Sequence, residues 1–232
     1  MKRIFDFSAA LFGLLLLAAP LALLMLAIFL EDRRSPFYFG IRVGRDRRPF
    51  RMVKIRTMRP DAWRSGVNST ASCDGRVTRV GRWLRLAKLD ELPQLWNVLT
   101  GEMSLVGPRS QVAAEVERYT AAECRMLEVR PGVTDLASIV FADEGKILAG
   151  APDPDLLYNQ IIRPWKSRLA LACIDHGSLF VDLRIIALTL LASVSRRRAL
   201  RGVEHLLTQW HADTLLQKTA TRREPLLAWP PP

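Results

Sequence analysis

The sequence predicts a small, α-rich α/β domain attached to a membrane by its N-terminus, and three observations predict it. From Leu11 to Leu30 every residue is apolar, Gly or Pro. Two short strand-like segments follow, and then several stretches with helical periodicity. The 232 residues are 49% hydrophobic, enough for one real core and one appendage. An anchor over 1–34, a folded domain over 35–195 and a basic, mobile tail over 196–232 are the expected divisions.

The apolar run, at about 1.5 Å per residue, reaches about 30 Å, the thickness of a bilayer core. Lys2 and Arg3 precede it, as in a secretory signal, but Glu31-Asp32-Arg33-Arg34 follows without a small-residue cleavage site. Pro20 sits mid-run and removes one helix hydrogen bond. Cationic residues flank both ends, with Arg33, Arg34, Arg42, Arg45, Arg47 and Arg48 on the distal side. Such flanks resist crossing a membrane, which favours a helix that enters one leaflet, breaks at Ala19-Pro20 and returns. A kinked single span fits the residues equally well.

Phe37–Gly44 and Phe50–Arg56 read as strands around a basic turn. A polar loop is expected over about 60–75, with Ser65, Gly66, Asn68, Ser69, Ser72 and Gly75. Arg76–Ala87 reads as an amphipathic helix, with Arg76, Arg79, Arg82 and Arg85 opposite Val77, Val80, Trp83, Leu84 and Leu86. A second helix covers Glu91–Leu99 and stops at Gly101. Further helices are expected over Gln111–Val129, Asp155–Ile174 and Leu179–Val194. The last of these is either a core helix or one lying in the membrane interface, with Arg196-Arg197-Arg198 on lipid phosphates.

Composition narrows the chemistry. Thirty-four Lys and Arg against 23 Asp and Glu give a net charge of +11, which points to a polyanionic partner. Nucleic acid is disfavoured, because only three Tyr and nine Phe occur, several of them in the anchor, where base stacking cannot use them. Cys73, Cys124 and Cys173 are dispersed, without the paired spacing of a structural zinc site, and suit a reducing compartment.

The informative stretch is Lys88-Leu89-Asp90-Glu91-Leu92-Pro93-Gln94-Leu95-Trp96-Asn97. Pro93 belongs in the first turn of a helix, which sets Asp90 near the cap. An acidic pair there is explained by capping and by the helix dipole. The same position also suits chemistry on phosphorus. Free N–H groups attract phosphate, a carboxylate can form an acyl phosphate, and two adjacent carboxylates suit Mg²⁺. Arg85 and Arg109 are placed to neutralise phosphate oxygens, although lone arginines more often have solvated roles.

These residues belong to an ordered series. Lys2-Arg3-Ile4-Phe5-Asp6, the proline-interrupted apolar run and Arg42-Val43-Gly44 lead into Lys54-Ile55-Arg56-Thr57-Met58 and Arg79-Val80-Gly81-Arg82-Trp83-Leu84-Arg85. Leu89–Leu99, Met103–Arg109 and Arg130-Pro131-Gly132-Val133-Thr134 complete it. Over roughly the first 190 residues the chain resembles the bacterial sugar transferases, the monotopic phosphoglycosyl transferases. The resemblance implies a re-entrant helix-break-helix anchor turning at Pro20 and a catalytic domain on the cytoplasmic face of the bacterial inner (plasma) membrane. It implies Mg²⁺ held by Asp90 and Glu91, Asp90 as nucleophile and Glu91 completing the dyad. Arg85 and Arg109, with Lys54 and Arg56, match phosphate-binding positions. The implied partners are a UDP-sugar, polyprenyl (undecaprenyl) phosphate and anionic membrane lipids, with homodimerisation left open.

Ser110, Ala19 and Asp135 depart from the commonest pattern, as does Ile139–Gly150. These departures bear on sugar identity and acceptor geometry. No bundle of extra membrane helices precedes the anchor, as in the minimal members. Phosphosugar transfer releasing UMP is the expected reaction. A metal-dependent glycosyltransferase moving the sugar alone, and a non-catalytic basic membrane-tethered protein, are the rivals.

Overall fold

The computed structural model describes residues 1–62 and 74–232, so most of the expected polar loop, and Cys73, lie outside the described residues.

α1 spans Lys2–Asp32, 31 residues, or about 46 Å at the α-helical rise if straight. It is long and apolar enough to cross a membrane. The expected break is not present as a break: the helix continues through Pro20. The ring costs one backbone bond, while a stripe of contacts holds both halves to the same domain. Ala10 packs among Phe50, Met52, Val98 and Met103. Leu14, Leu17, Leu21, Leu24 and Ile28 pack around Ile55, Leu84 and Leu89. These positions recur every three or four residues, so one face of α1 is covered on both sides of Pro20. The opposite face, with Phe12, Leu15, Leu16 and Leu23, is about two-thirds exposed.

The N-terminal end of α1 is clipped to the domain by polar contacts. The Arg3 guanidinium donates to the Val98 and Leu99 carbonyls, and Lys2 donates to Val106 O and Asp182. Asp6, buried, accepts from Ser104 Oγ at 2.8 Å and Leu105 N at 3.2 Å.

Strands β1 (Phe37–Val43) and β2 (Pro49–Ile55) form an antiparallel hairpin, Phe37 opposite Ile55 and Val43 opposite Pro49. The expected strands are shifted by about one residue at their ends, as such boundaries are. Alternate β2 residues Phe50 and Met52 face the core, as period two requires.

Helix α2 (Arg79–Leu86) starts where Thr78 Oγ1 accepts from Gly81 N. A Cβ on Gly81 would stand 2.1 Å from the Thr57 carbonyl oxygen, so only glycine lets α2 seat against that segment. The expected sidedness is partly wrong: Trp83 and Leu86 are exposed, and Arg85 turns inward. Helix α3 (Gln94–Thr100) ends at Gly101 in the left-handed region, as expected.

Two short strands unseen in the sequence, β3 (Ser104–Val106) and β4 (Gly132–Thr134), pair in parallel. A Cβ on Gly132 would lie 2.1 Å from Gly107 N, so the backbones meet at two glycines. The helix expected over Gln111–Val129 is two short ones, α4 (Ala113–Val116) and α5 (Ala121–Cys124). Thr120 and Glu123 form a capping box that starts a new helix at that point.

The main core is built by α6 (Leu136–Val140), α9 (Arg163–Asp175), α10 (Leu179–Val194), α11 (Arg196–Gln209) and α12 (Thr214–Thr221), with α7 (Glu144–Ile147) and α8 (Pro154–Leu157) leading into α9. A π-helical turn, Tyr158–Ile162, interrupts the helix expected over Asp155–Ile174. Asp135 caps α6, accepting from Ser138 N at 2.7 Å, which gives this departure from the commonest family pattern a structural role.

The segment 196–232, expected to be mobile, is ordered. Ala199, Val203, Leu206, Leu207, Leu216 and Ala220 are buried in the main core. Removing that much apolar surface from water outweighs the entropy of ordering two helices. The terminal Pro-rich stretch is also docked: Trp229 stacks on Trp165, whose Nε1–H donates to Leu227 O.

Candidate active site

Asp90 and Glu91 lie in a single 3₁₀ turn, Leu89–Glu91, introduced by Lys88 at φ 55°. The capping explanation fails, because α3 begins at Gln94 after Pro93 and has no side-chain cap. The two carboxylates therefore have different work, and their surroundings separate them.

Glu91 is clamped. Arg109 donates one N–H to each Glu91 oxygen, and Lys54 Nζ donates to Oε1 at 2.7 Å. Burial pushes the Glu91 carboxyl up, but Arg109 and Lys54 outweigh it and hold it well below the usual range. Arg109 is held cationic chiefly by Glu91, while burial lowers Lys54 against the pull of Glu91.

Asp90 is buried, at 8% exposure, and has no hydrogen-bond or ion-pair partner among the described residues. Burial raises its pKa, opposed by the nearby Lys54 charge. A desolvated carboxylate with free lone pairs beside several cations marks a candidate functional site rather than a stabilising ion pair.

The scaffold explains the placement. Asn97 Oδ1 accepts from Val53 N at 2.9 Å, and its Nδ2 donates to Arg51 O and Glu102. That side chain locks β2 to α3 and so brings Lys54 onto Glu91. Arg109 follows β3 in a loop tied by Gly107 N to Thr134 O and by Gly132 N to Pro108 O. Ser110, the second departure, is buried and its hydroxyl lies 3.8 Å from Met52 Sδ. Arg85 donates from Nε to Thr57 Oγ1 at 2.8 Å and feels the Asp90 charge; burial lowers its pKa.

Of the residues expected at the site, Asp90, Glu91, Lys54, Arg85 and Arg109 converge. Arg56 does not join them through its described bonds: its Nε–H donates to Ser35 O at 2.7 Å, tying the end of β2 to the connection from α1. Pro20 lies within α1. Sequence reasoning missed Lys88, whose Nζ donates to Ser138 O and whose pKa burial lowers, with Glu91 opposing. It also missed the Lys166–Glu144 pair, felt by Arg109 and Lys88. Asn97 stood at the end of the quoted stretch Lys88–Asn97, but neither its bracing role nor that of Lys166 had a signal in the sequence.

Among the described residues no cluster of three or more His, Cys, Asp or Glu side chains is placed to hold a metal ion. Asp90 offers free carboxylate oxygens and Glu91 an engaged pair. That set fits a cation such as Mg²⁺, which takes one or two carboxylates and fills its shell with phosphate and water.

A buried aspartate without a hydrogen-bond partner among the described residues, faced by Lys54, Arg85 and Arg109 and carried by a domain with a helix long and apolar enough to cross a membrane, marks a candidate anion-binding site of a membrane-associated protein. The family profile of the bacterial sugar transferases matches residues 1–196, and the chain belongs to that family. It is 37% identical over 209 residues to the undecaprenyl-phosphate glucose phosphotransferase of Komagataeibacter xylinus, covering 85% of this chain but 36% of that one. It is 43% identical over 141 residues to the UDP-glucose:undecaprenyl-phosphate glucose-1-phosphate transferase of Caulobacter vibrioides, covering 60% of this chain and 53% of that one. The exopolysaccharide production protein PSS of Rhizobium leguminosarum bv. phaseoli is 33% identical over 207 residues, 84% of this chain and 96% of its own. The chain thus spans about a third of the first of these relatives, half of the second and nearly all of the third.

Proposed function

We propose that this enzyme transfers a sugar-1-phosphate from a UDP-sugar to polyprenyl phosphate through a covalent intermediate on Asp90. The observation that carries the reading is the division of labour in the acidic pair: Glu91 bonded to Arg109 and Lys54, Asp90 with no bond. An Asp90 oxygen attacks the phosphorus that bears the sugar, the bridging P–O bond breaks, and UMP leaves with the bond's electrons. A polyprenyl phosphate oxygen then attacks the same phosphorus, giving polyprenyl diphosphosugar and restoring the Asp90 carboxylate.

Lys54 and Arg109 keep further N–H groups for the diphosphate, and Glu91 fixes where they stand. Arg85 adds a third cation against the developing charge. Bound at Asp90 and Glu91, Mg²⁺ would supply charge neutralisation for the diphosphate. The exposed Trp83, Leu86 and Trp96 lie on elements flanking the Asp90 turn and suit a lipid acceptor. Relatives named for undecaprenyl phosphate and UDP-glucose support the substrate classes.

Both ends of α1 contact the same domain, Lys2 and Arg3 through hydrogen bonds and Ile28 through Ile55 and Leu84. These contacts favour a topology in which both ends of α1 and the catalytic domain stay at the cytoplasmic face, with any turn at Pro20 formed in the membrane, since α1 here is continuous. Impermeant labelling of single cysteines at positions 2 and 34 tests it; labelling of position 2 from the periplasm alone would refute it.

The released nucleotide decides the reaction. Wild-type enzyme given UDP-sugar and polyprenyl phosphate is expected to release UMP, and intact mass should show a phosphosugar adduct absent from Asp90→Asn. Release of UDP would instead establish transfer of the sugar alone.

A further inference from the structure

At the end of the family match, which covers residues 1–196, α11 and the end of α12 line an open surface cleft of about 860 Å³ that the proposed reaction does not use. Arg196, Arg197, Arg201, Arg222 and Arg223 line it against one acidic residue, Glu204. From this cleft we infer a second phosphate-binding site, built by the C-terminal helices and separate from the Asp90 centre.

Three features of the cleft carry the inference. First, the arginines stand at the wrong end of their helix. Arg196 and Arg197 occupy the first turn of α11, which has no acidic residue and no side-chain cap. Their charge adds to the positive end of the helix dipole, an arrangement that a bound anion relieves.

Second, part of the cleft is held in shape while part is left open for a ligand. Asp143 accepts from Arg196 at 2.6 Å and from Arg222 at 3.3 Å, pinning the two helices to the loop between α6 and α7. Arg223 pairs with Glu204 at 3.8 Å. Arg197 and Arg201, four residues apart on one helix face, have no ion-pair partner among the described residues. Planar guanidinium forks presented in this way match phosphate oxygens better than lysine would.

Third, the cleft's first arginines follow directly in sequence on a helix with an exposed apolar face. On α10, Leu179, Leu183, Leu190 and Val194 are spaced on one side of the helix and are exposed, from 36% to 87%. α10 is tied to the start of α1 through Asp182 and Lys2, and only Ser195 separates it from α11. A phosphate here therefore comes from an anionic phospholipid headgroup or from a soluble phosphate compound meeting the same arginines.

The test uses the full chain in nanodiscs and follows hydrogen exchange at the amides of residues 196–204. Zwitterionic discs are the reference, compared with discs containing phosphatidylglycerol and with zwitterionic discs plus inorganic pyrophosphate. With ligand at about ten times its Kd, exchange should slow about tenfold. Arg197→Gln/Arg201→Gln should abolish that slowing at unchanged Tm. The charge-matched pair Arg198→Gln/Lys218→Gln, on the same helices but outside the cleft, should keep it. Slowing by phosphatidylglycerol alone identifies a lipid headgroup, and slowing by pyrophosphate identifies a soluble phosphate. No slowing with either, slowing that survives the cleft variant, or equal loss in the control overturns the site.

Discussion

Glu91→Gln isolates what the clamp on the second carboxylate does. The substitution keeps the shape but removes the charge that Arg109 and Lys54 face. Losing one partner of a fully buried pair costs about 3–5 kcal/mol. Lys54 and Glu91 are 16% and 19% exposed, whereas Arg109 is 40% exposed and recovers much of its hydration. Discounted for that exposure, the cost is about 1–3 kcal/mol. For a chain of this size about 2–4 °C of Tm corresponds to each kcal/mol, so a fall of about 2–12 °C is expected. Thermal unfolding of wild type and variant, followed by circular dichroism in one detergent across pH, measures it. The Glu91 pKa is depressed in the fold, so its stabilisation is complete above the ordinary glutamate value of 4.5 and is lost as pH falls through the folded value. The Tm gap should therefore be full at pH 7 and close on acidification. An unchanged Tm at pH 7, or a gap that persists in acid, would refute the clamp. Turnover should fall by about 10²–10³, the scale for losing preorganised charge at a reacting phosphate.

Asp90→Asn is expected to have the opposite signature: turnover lost by about 10⁴ or more, yet a higher Tm at pH 7. Burial raises the Asp90 pKa, so ionisation costs stability as pH rises through the folded value, and the Tm difference should vanish in acid; a lower Tm at pH 7 would contradict this. Gly81→Ala puts a methyl 2.1 Å from the Thr57 carbonyl oxygen; about 1–3 kcal/mol of stability should be lost as α2 is displaced, with Arg85 leaving Thr57, and wild-type melting and turnover would show the seat to be slack. Truncation after Ser195 strips the core of Val203, Leu206 and Leu216; loss of cooperative unfolding in a thermal melt is expected, and an intact melt would return this segment to the status of a tail. Leu206→Ala alone should cost about 2–5 kcal/mol by chemical denaturation, and a change under 1 kcal/mol would place it outside the packed core.

Much of this protein was legible in one dimension. The apolar run, the hairpin, the stop at Gly101 and the span Leu179–Val194 followed from local periodicity and turn chemistry, which depend on neighbours in sequence. The acidic pair with Arg85 and Arg109 stood out by its place before Pro93, and the resemblance added Lys54 and Arg56. The sequence could not show that Asp90 is unbonded among the described residues while Glu91 is bonded by Arg109 and Lys54. That difference arises from residues 37 positions before and 18 after Glu91, brought in by β2 and by the loop after β3. Nor could it show that Arg56 supports the connection from α1, since an arginine's role depends on which carbonyls lie within its reach. The basic composition of 196–232 suggested a solvated tail, because charge dominates a local average. The structure decided otherwise by burying one face of α11 and α12 against α6, α9 and α10 and gathering the arginines on another. Which face of a helix meets the core depends on the shape of the partner it meets, and only the folded chain supplies that partner.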